Sequence, residues 1–192
     1  MNKKRCVALF GAVMIAVLPA CGSSSSSGSQ DTDVVVDEAA FNDADVMFAQ
    51  MMIPHHEQAI ELSDMALDPT MGASEEVLSL AKDIKAAQDP EIDQMTTLLE
   101  SWGQPTSMDS SMDHSEMMSG MLTVQEIEYL GTLRGTAFDT AWIQAMLKHH
   151  EGAIEMATNV QNDGINSDVQ KLAATIIAGQ QAEVNEMWEL LS

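Results

Sequence analysis

From about Asp37 onward, apolar side chains recur every three to four positions, and no stretch alternates as a half-buried strand would. The pattern predicts long helices over about 37–67, 74–102, 136–161 and 167–191, with a short one over 123–133. The punctuation agrees. Asp68-Pro69 closes the first run, Gly103 and Pro105 follow the second, and Asn162-Asp163-Gly164 parts the last two. Thr123-Val124-Gln125-Glu126 is a capping box for the short helix. Pro54 and Pro90 fall inside the first two runs, where each is expected to kink or break the helix. Short links within each pair of long helices imply an all-α antiparallel four-helix bundle with one short extra helix before the second pair.

An internal repeat sharpens this reading. Asp45–Glu61 aligns without a gap on Asp139–Glu155, 94 positions later. Asp45 meets Asp139, Phe48 meets Trp142, Met52 meets Met146, and His55-His56-Glu57 meets His149-His150-Glu151. The partner helices match at an offset of 92: Ala81, Ile84, Gln88, Glu91 and Met95 fall on Ala173, Ile176, Gln180, Glu183 and Met187. The chain is thus two helical hairpins of one design. Neither can bury its apolar stripe alone, so the two should pack with pseudo-twofold symmetry, and a shared site would lie near that axis.

The first 36 residues read differently. Residues 1–20 carry a basic start (Lys3, Lys4, Arg5), an uncharged apolar stretch and then Leu18-Pro19-Ala20 before Cys21, the layout of a secretory signal ending in a lipidation site. Residues 21–36 would be a lipidated Cys21 and a flexible Ser/Gly-rich tether. The first hairpin would span 37–103, a Met/His-rich loop 104–122, and the short helix with the second hairpin 123–192. The expected product is exported and lipid-anchored to the cell envelope, facing the periplasm or the exterior. Cleavage would leave no free thiol, because Cys6 departs and Cys21 is acylated, so neither a disulfide nor a thiolate metal site is available. The formal charge is −22, and three of the eight basic residues sit in the leader. Such a surface attracts cations and excludes nucleic acid as a partner.

The candidate chemistry lies in the repeat. At about 100° per residue, Asp45, Met52 and His56 share a narrow sector of their helix, as do Asp139, Met146 and His150 of theirs. His55 and His149 sit a step aside, and Met95 and Met187 approach from the partner helices. Thioether plus imidazole is a soft donor set suited to Cu(I) and, by the same chemistry, Ag(I). Met52, His56, Met146 and His150 are the principal candidate ligands, with His55, His149, Met95 and Met187 as further ones. Asp45 and Asp139 are expected to orient histidines from behind. The loop adds His114 and Met117, among Met108, Met112, Met118 and Met121, in a polar setting that no buried core explains. Two enzymatic motifs fail. His56-Glu57 and His150-Glu151 start like H-E-x-x-H but end on isoleucine, and no Glu-x-x-His is present for a di-iron centre.

These residues resemble family 305 of the domains of unknown function, whose D-x-x-F-x-x-x-M-x-x-H-H-x-x-A-I block stands here at Asp45–Ile60 and, with Trp142 for Phe, at Asp139–Ile154. The Gly120-Met121-Leu122-Thr123 entry and the Q-x-x-E-x-x-x-M blocks at Gln88 and Gln180 are similar as well. The resemblance implies a ferritin-like four-helix core and, for some relatives, copper or silver binding outside the cytoplasm. Three readings stand at this point: an envelope lipoprotein that sequesters or passes on Cu(I) or Ag(I), a structural or partner-binding module without metal, and, least favoured, a ferritin-like redox enzyme. The first makes the chain a binding protein and not an enzyme; no protein partner is identified.

Overall fold

The computed structural model describes residues 41–108 and 118–192. The leader, Cys21, the tether, His114 and Met117 lie outside the described residues. The helices are α1 (Asp43–Leu67), α2 (Glu75–Ser101), α3 (Val124–Thr132), α4 (Thr136–Asp163) and α5 (Ser167–Leu190), with no strand among the described residues.

Four of the five helices start on a side-chain cap. Asn42 caps α1 reciprocally with Asp45, Ser74 caps α2, Thr123 and Glu126 form the box anticipated for α3, and Asn166 caps α5. The two prolines do not break their helices. α1 runs through Pro54 and α2 through Pro90. Each removes one donor, leaving the carbonyls of Gln50 and Ala86 without their usual partners. Gln50 is half-buried and Ala86 exposed, so water can serve those groups while tertiary packing holds the flanking turns.

α1 packs antiparallel on α2, and α4 on α5; the hairpins then join chiefly through α1 against α4. The α1–α4 pair is antiparallel too. The Asn42 amide donates to the Asp163 carbonyl at 2.8 Å at one end, and the Trp142 indole N–H donates to the Leu62 carbonyl at 2.8 Å at the other. Between these ends His55 meets its own repeat equivalent, His149, with ring centroids 3.8 Å apart. A residue touching its repeat equivalent marks the pseudo-twofold axis.

The core falls into two apolar clusters separated by this level. One gathers Phe48, Met52, Met95, Leu99, Ala157 and Ile176; the other gathers Leu62, Leu80, Ile84, Trp142, Met146 and Met187. Along α1, α2, α4 and α5 alike, the residues between the clusters are polar and buried: His55 and His56, Gln88, His149 and His150, and Gln180.

Candidate metal centre

The polar layer is unusual for its depth. Its four histidines, His55, His56, His149 and His150, are fully buried, and Gln88 and Gln180 nearly so. Burying an imidazole or amide nitrogen without a partner costs about 1–3 kcal/mol, and native cores hold few such atoms. Here Nδ1 of His55, His56 and His150, both ring nitrogens of His149 and both amide atoms of Gln88 and Gln180 have no hydrogen-bond partner. Apolar residues would make a more stable core at these positions.

Where partners do exist, they are acceptors. His56 Nε2 lies 2.9 Å from Glu91 Oε2, and His150 Nε2 lies 2.7 Å from Glu183 Oε2. His55 Nε2 lies 3.1 Å from the Ser119 carbonyl. A carbonyl or carboxylate oxygen only accepts, so Nε2 carries the proton in each neutral ring and Nδ1 presents a bare lone pair to the interior. This is how protein histidines are usually prepared for a metal, with one ring nitrogen donating outward to a carboxylate or carbonyl and the other left to ligate.

Electrostatics keep the axial pair neutral. Burial, reinforced by the neighbouring His56, lowers the His55 pKa from 6.5 to about 3, against a smaller opposing pull from the Ser119 carbonyl. His149 is held well below the ordinary range, by burial first and then by the imidazoles of His55, His150 and His56.

The thioethers divide between the two halves. His56 pairs with Glu91, and this register sets Met52 opposite Met95; both are fully buried in the first cluster. Met146 and Met187 stand in the same relation beside His150 and Glu183, in the second cluster. The structure therefore brings the histidines together at the axis and leaves one thioether pair on each side of them. Met52 and Met146 do not share a cluster. Among the described residues no three His, Cys, Asp or Glu side chains gather as a metal-holding group, so a centre here has to draw on sulfur.

Asp45 and Asp139, expected behind the histidines, stand elsewhere. Asp45 accepts from the backbone N–H of Ile165 and Asn166 at 3.1 Å, and Asp139 from that of Ser74 at 3.2 Å. Each carboxylate ties the start of one hairpin's first helix to the turn of the other hairpin. The residues that orient His56 and His150 are Glu91 and Glu183. The helical wheel placed the aspartates on the correct face; it did not register that they lie about three turns away, at the bundle's ends.

One backbone segment closes over the axis. Gln58 clamps Leu122 from both sides, its amide donating to the Leu122 carbonyl at 3.0 Å and its oxygen accepting from the Leu122 N–H at 2.7 Å. Ser119 passes so close to α4 that a Cβ on Gly152 would sit 1.9 Å from its carbonyl oxygen. Gly120 takes a positive φ of 88° there, and its own Cβ would fall 2.5 Å from the Lys148 carbonyl. The strap from Ser119 to Leu122 thus carries the His55 acceptor and requires glycine on both sides.

No helix among the described residues is long and apolar enough to cross a membrane. No curated protein matches the chain. Solved structures do. A DUF305 protein of Streptomyces coelicolor, inferred to be secreted, is 33% identical at a TM-score of 0.70, covering 77% of this chain and 91% of its own. A DUF305 fragment from Deinococcus radiodurans is 32% identical at 0.70, covering 78% and 96%. CopM in its Cu(I)-bound form is 30% identical at 0.62, covering 76% and 94%, and CopM has also been solved with Cu(II) and with Ag. The family model described as a domain of unknown function, DUF305, matches residues 45–191, and the chain belongs to that family.

Proposed function

We propose that this chain is an extracytoplasmic lipoprotein that binds Cu(I) or Ag(I) through methionine and histidine side chains, holding the ion or passing it on, and that it catalyses no reaction. The observation that carries this reading is the pair of buried histidines, His56 and His150, each donating Nε2–H to a carboxylate and keeping a bare Nδ1 inside the bundle. Met52 and Met95 would join His56 around an ion, and Met146 and Met187 would join His150. A side chain on a helix leans toward the preceding turn, which brings each imidazole toward the methionine four residues before it. Thioether and neutral imidazole stabilise a soft monovalent ion without placing a second charge in the core. The likeness to CopM, solved with Cu(I) and Ag, supports the choice of ion, and the likeness to a protein inferred to be secreted supports the location. The anchor at Cys21 rests on the leader sequence.

A structural reading competes, because the methionines occupy two clusters and the His–Glu pairs also knit each hairpin together. Copper content separates the two. Protein loaded with Cu(I) under reducing conditions and desalted should retain copper, and H56Q/H150Q should retain at least tenfold less while keeping its helical content. Equal retention would leave the histidines as structural groups.

A further inference from the structure

The two repeats differ on one face. Along the outer groove between α1 and α4, the half formed by the beginning of α4 is covered, with Leu122 and Leu130 buried beside Ala141 and Ala145. The 94-residue offset puts Met47 and Met51 at the equivalents of those alanines, and Met156 at the equivalent of Leu62. No helix among the described residues covers this other half. A cleft of about 320 Å³ opens there, lined by Met47, Phe48, Met51 and Met156, with Asn159 and Asp163 among its remaining walls.

Chemistry distinguishes this cleft from a patch of unfinished core. Small or branched hydrocarbons serve the covered half, whereas the open half substitutes three thioethers. Met47 is 42% exposed, while Met51 and Met156 are buried at 7% and 8%. Met47 and Met51 are four apart, so they share one face of α1, and Met156 lines the same cleft from α4. No Lys or Arg lines the cleft, and the acidic Asp163 is among its walls.

We propose that Met47, Met51 and Met156 form a second site for a soft monovalent cation, Ag(I) or Cu(I), at the surface of the α1–α4 groove. It extends the reading of the chain as a soft-metal binder, yet uses none of the residues of the buried layer. A thioether cluster of this kind, reached through the exposed Met47, selects soft ions over Mg(II), Ca(II) or Zn(II), which prefer oxygen, imidazole or thiolate. Its exposure at Met47 suits first capture from solution, whereas the four histidines of the layer are fully buried.

The test is a titration of the mature chain, labelled with [methyl-¹³C]methionine, with silver nitrate in chloride-free buffer. The methyl signals of Met47, Met51 and Met156, assigned through single Met→Leu variants, should move together and reach saturation at the same silver concentration. In native mass spectrometry M47L/M51L should bind one silver ion fewer than the parent, with unchanged helical content. The proposal fails if the three signals stay still at several equivalents, if Met47 alone responds, or if the double variant keeps full stoichiometry. Signals of Met52 and Met146 report separately on the buried layer, so either site can fail without the other.

Discussion

At the scale of single residues, the four histidines set the character of the molecule. His55 and His149 are held neutral by their surroundings, and this has a consequence for stability. In the unfolded chain each would take a proton near pH 6.5, whereas in the folded protein His55 resists protonation down to about pH 3. Between those values the unfolded state binds more protons, so stability falls as the pH falls. Taking 1.36 kcal/mol per pH unit, His55 alone removes about 2 kcal/mol between pH 6.5 and pH 5. His149 adds a loss of the same sign. Against a typical total of about 5–15 kcal/mol this is a large share. Thermal melts of metal-free protein should show a drop of roughly 5 °C or more in Tm from pH 6.5 to 5, and H55Q/H149Q should show a smaller one. A Tm that is flat across this range would contradict the burial of neutral imidazoles. The histidines and their methionines were legible in the sequence because they recur at equivalent places. Their true partners were not. Glu91 and Glu183 stood in a visible repeat, but pairing them with His56 and His150 requires the hairpin register, which helical periodicity does not supply.

At the scale of elements, most helix ends followed from the sequence, but α1, expected from about 37, starts at Asp43 behind its cap Asn42. The bounds expected for α2, α3, α4 and α5 fall within a few residues of those observed, since Ser74, Thr123 and Asn166 each satisfy donors at a helix start. The prolines do not break their helices, because their local cost is outweighed. One missing donor at a site open to water is a small loss beside the apolar contacts that hold a 25-residue α1 or a 27-residue α2. The strap from Ser119 to Leu122 was equally hidden, since its two glycines have meaning only where the loop meets α4. Gly152→Ala tests it. Alanine favours a helix interior by about 1 kcal/mol over glycine, yet its Cβ would strike the Ser119 carbonyl. The loop must then move and release the bonds to His55 and Gln58. A net destabilisation of about 1–3 kcal/mol in urea unfolding is expected; a neutral or stabilised variant would show that the strap does not rest on α4 as described.

At the scale of the whole molecule, duplication explains the architecture. Two hairpins meet about an axis on which His55 and His149 touch, and the reciprocal clips from Asp45 to Asn166 and from Asp139 to Ser74 fasten each hairpin to the turn of the other. The repeat announced this symmetry, and the signal for the clips was present as well: Asp45 and Asp139 match at one offset, Ser74 and Asn166 at nearly the same one. Symmetry then divides the buried thioethers equally, one pair with each His–Glu pair, on either side of the imidazoles at the axis. The account's central claim is that the thioether pair and the imidazole of each half of this layer hold an ion jointly. X-ray absorption at the copper edge tests it most directly, on Cu(I)-loaded M47L/M51L protein so that the surface cleft contributes no sulfur. The prediction is a first shell containing both sulfur and imidazole nitrogen, with the imidazole scattering lost in H56Q/H150Q. A shell of oxygen alone, or sulfur without imidazole, would contradict it.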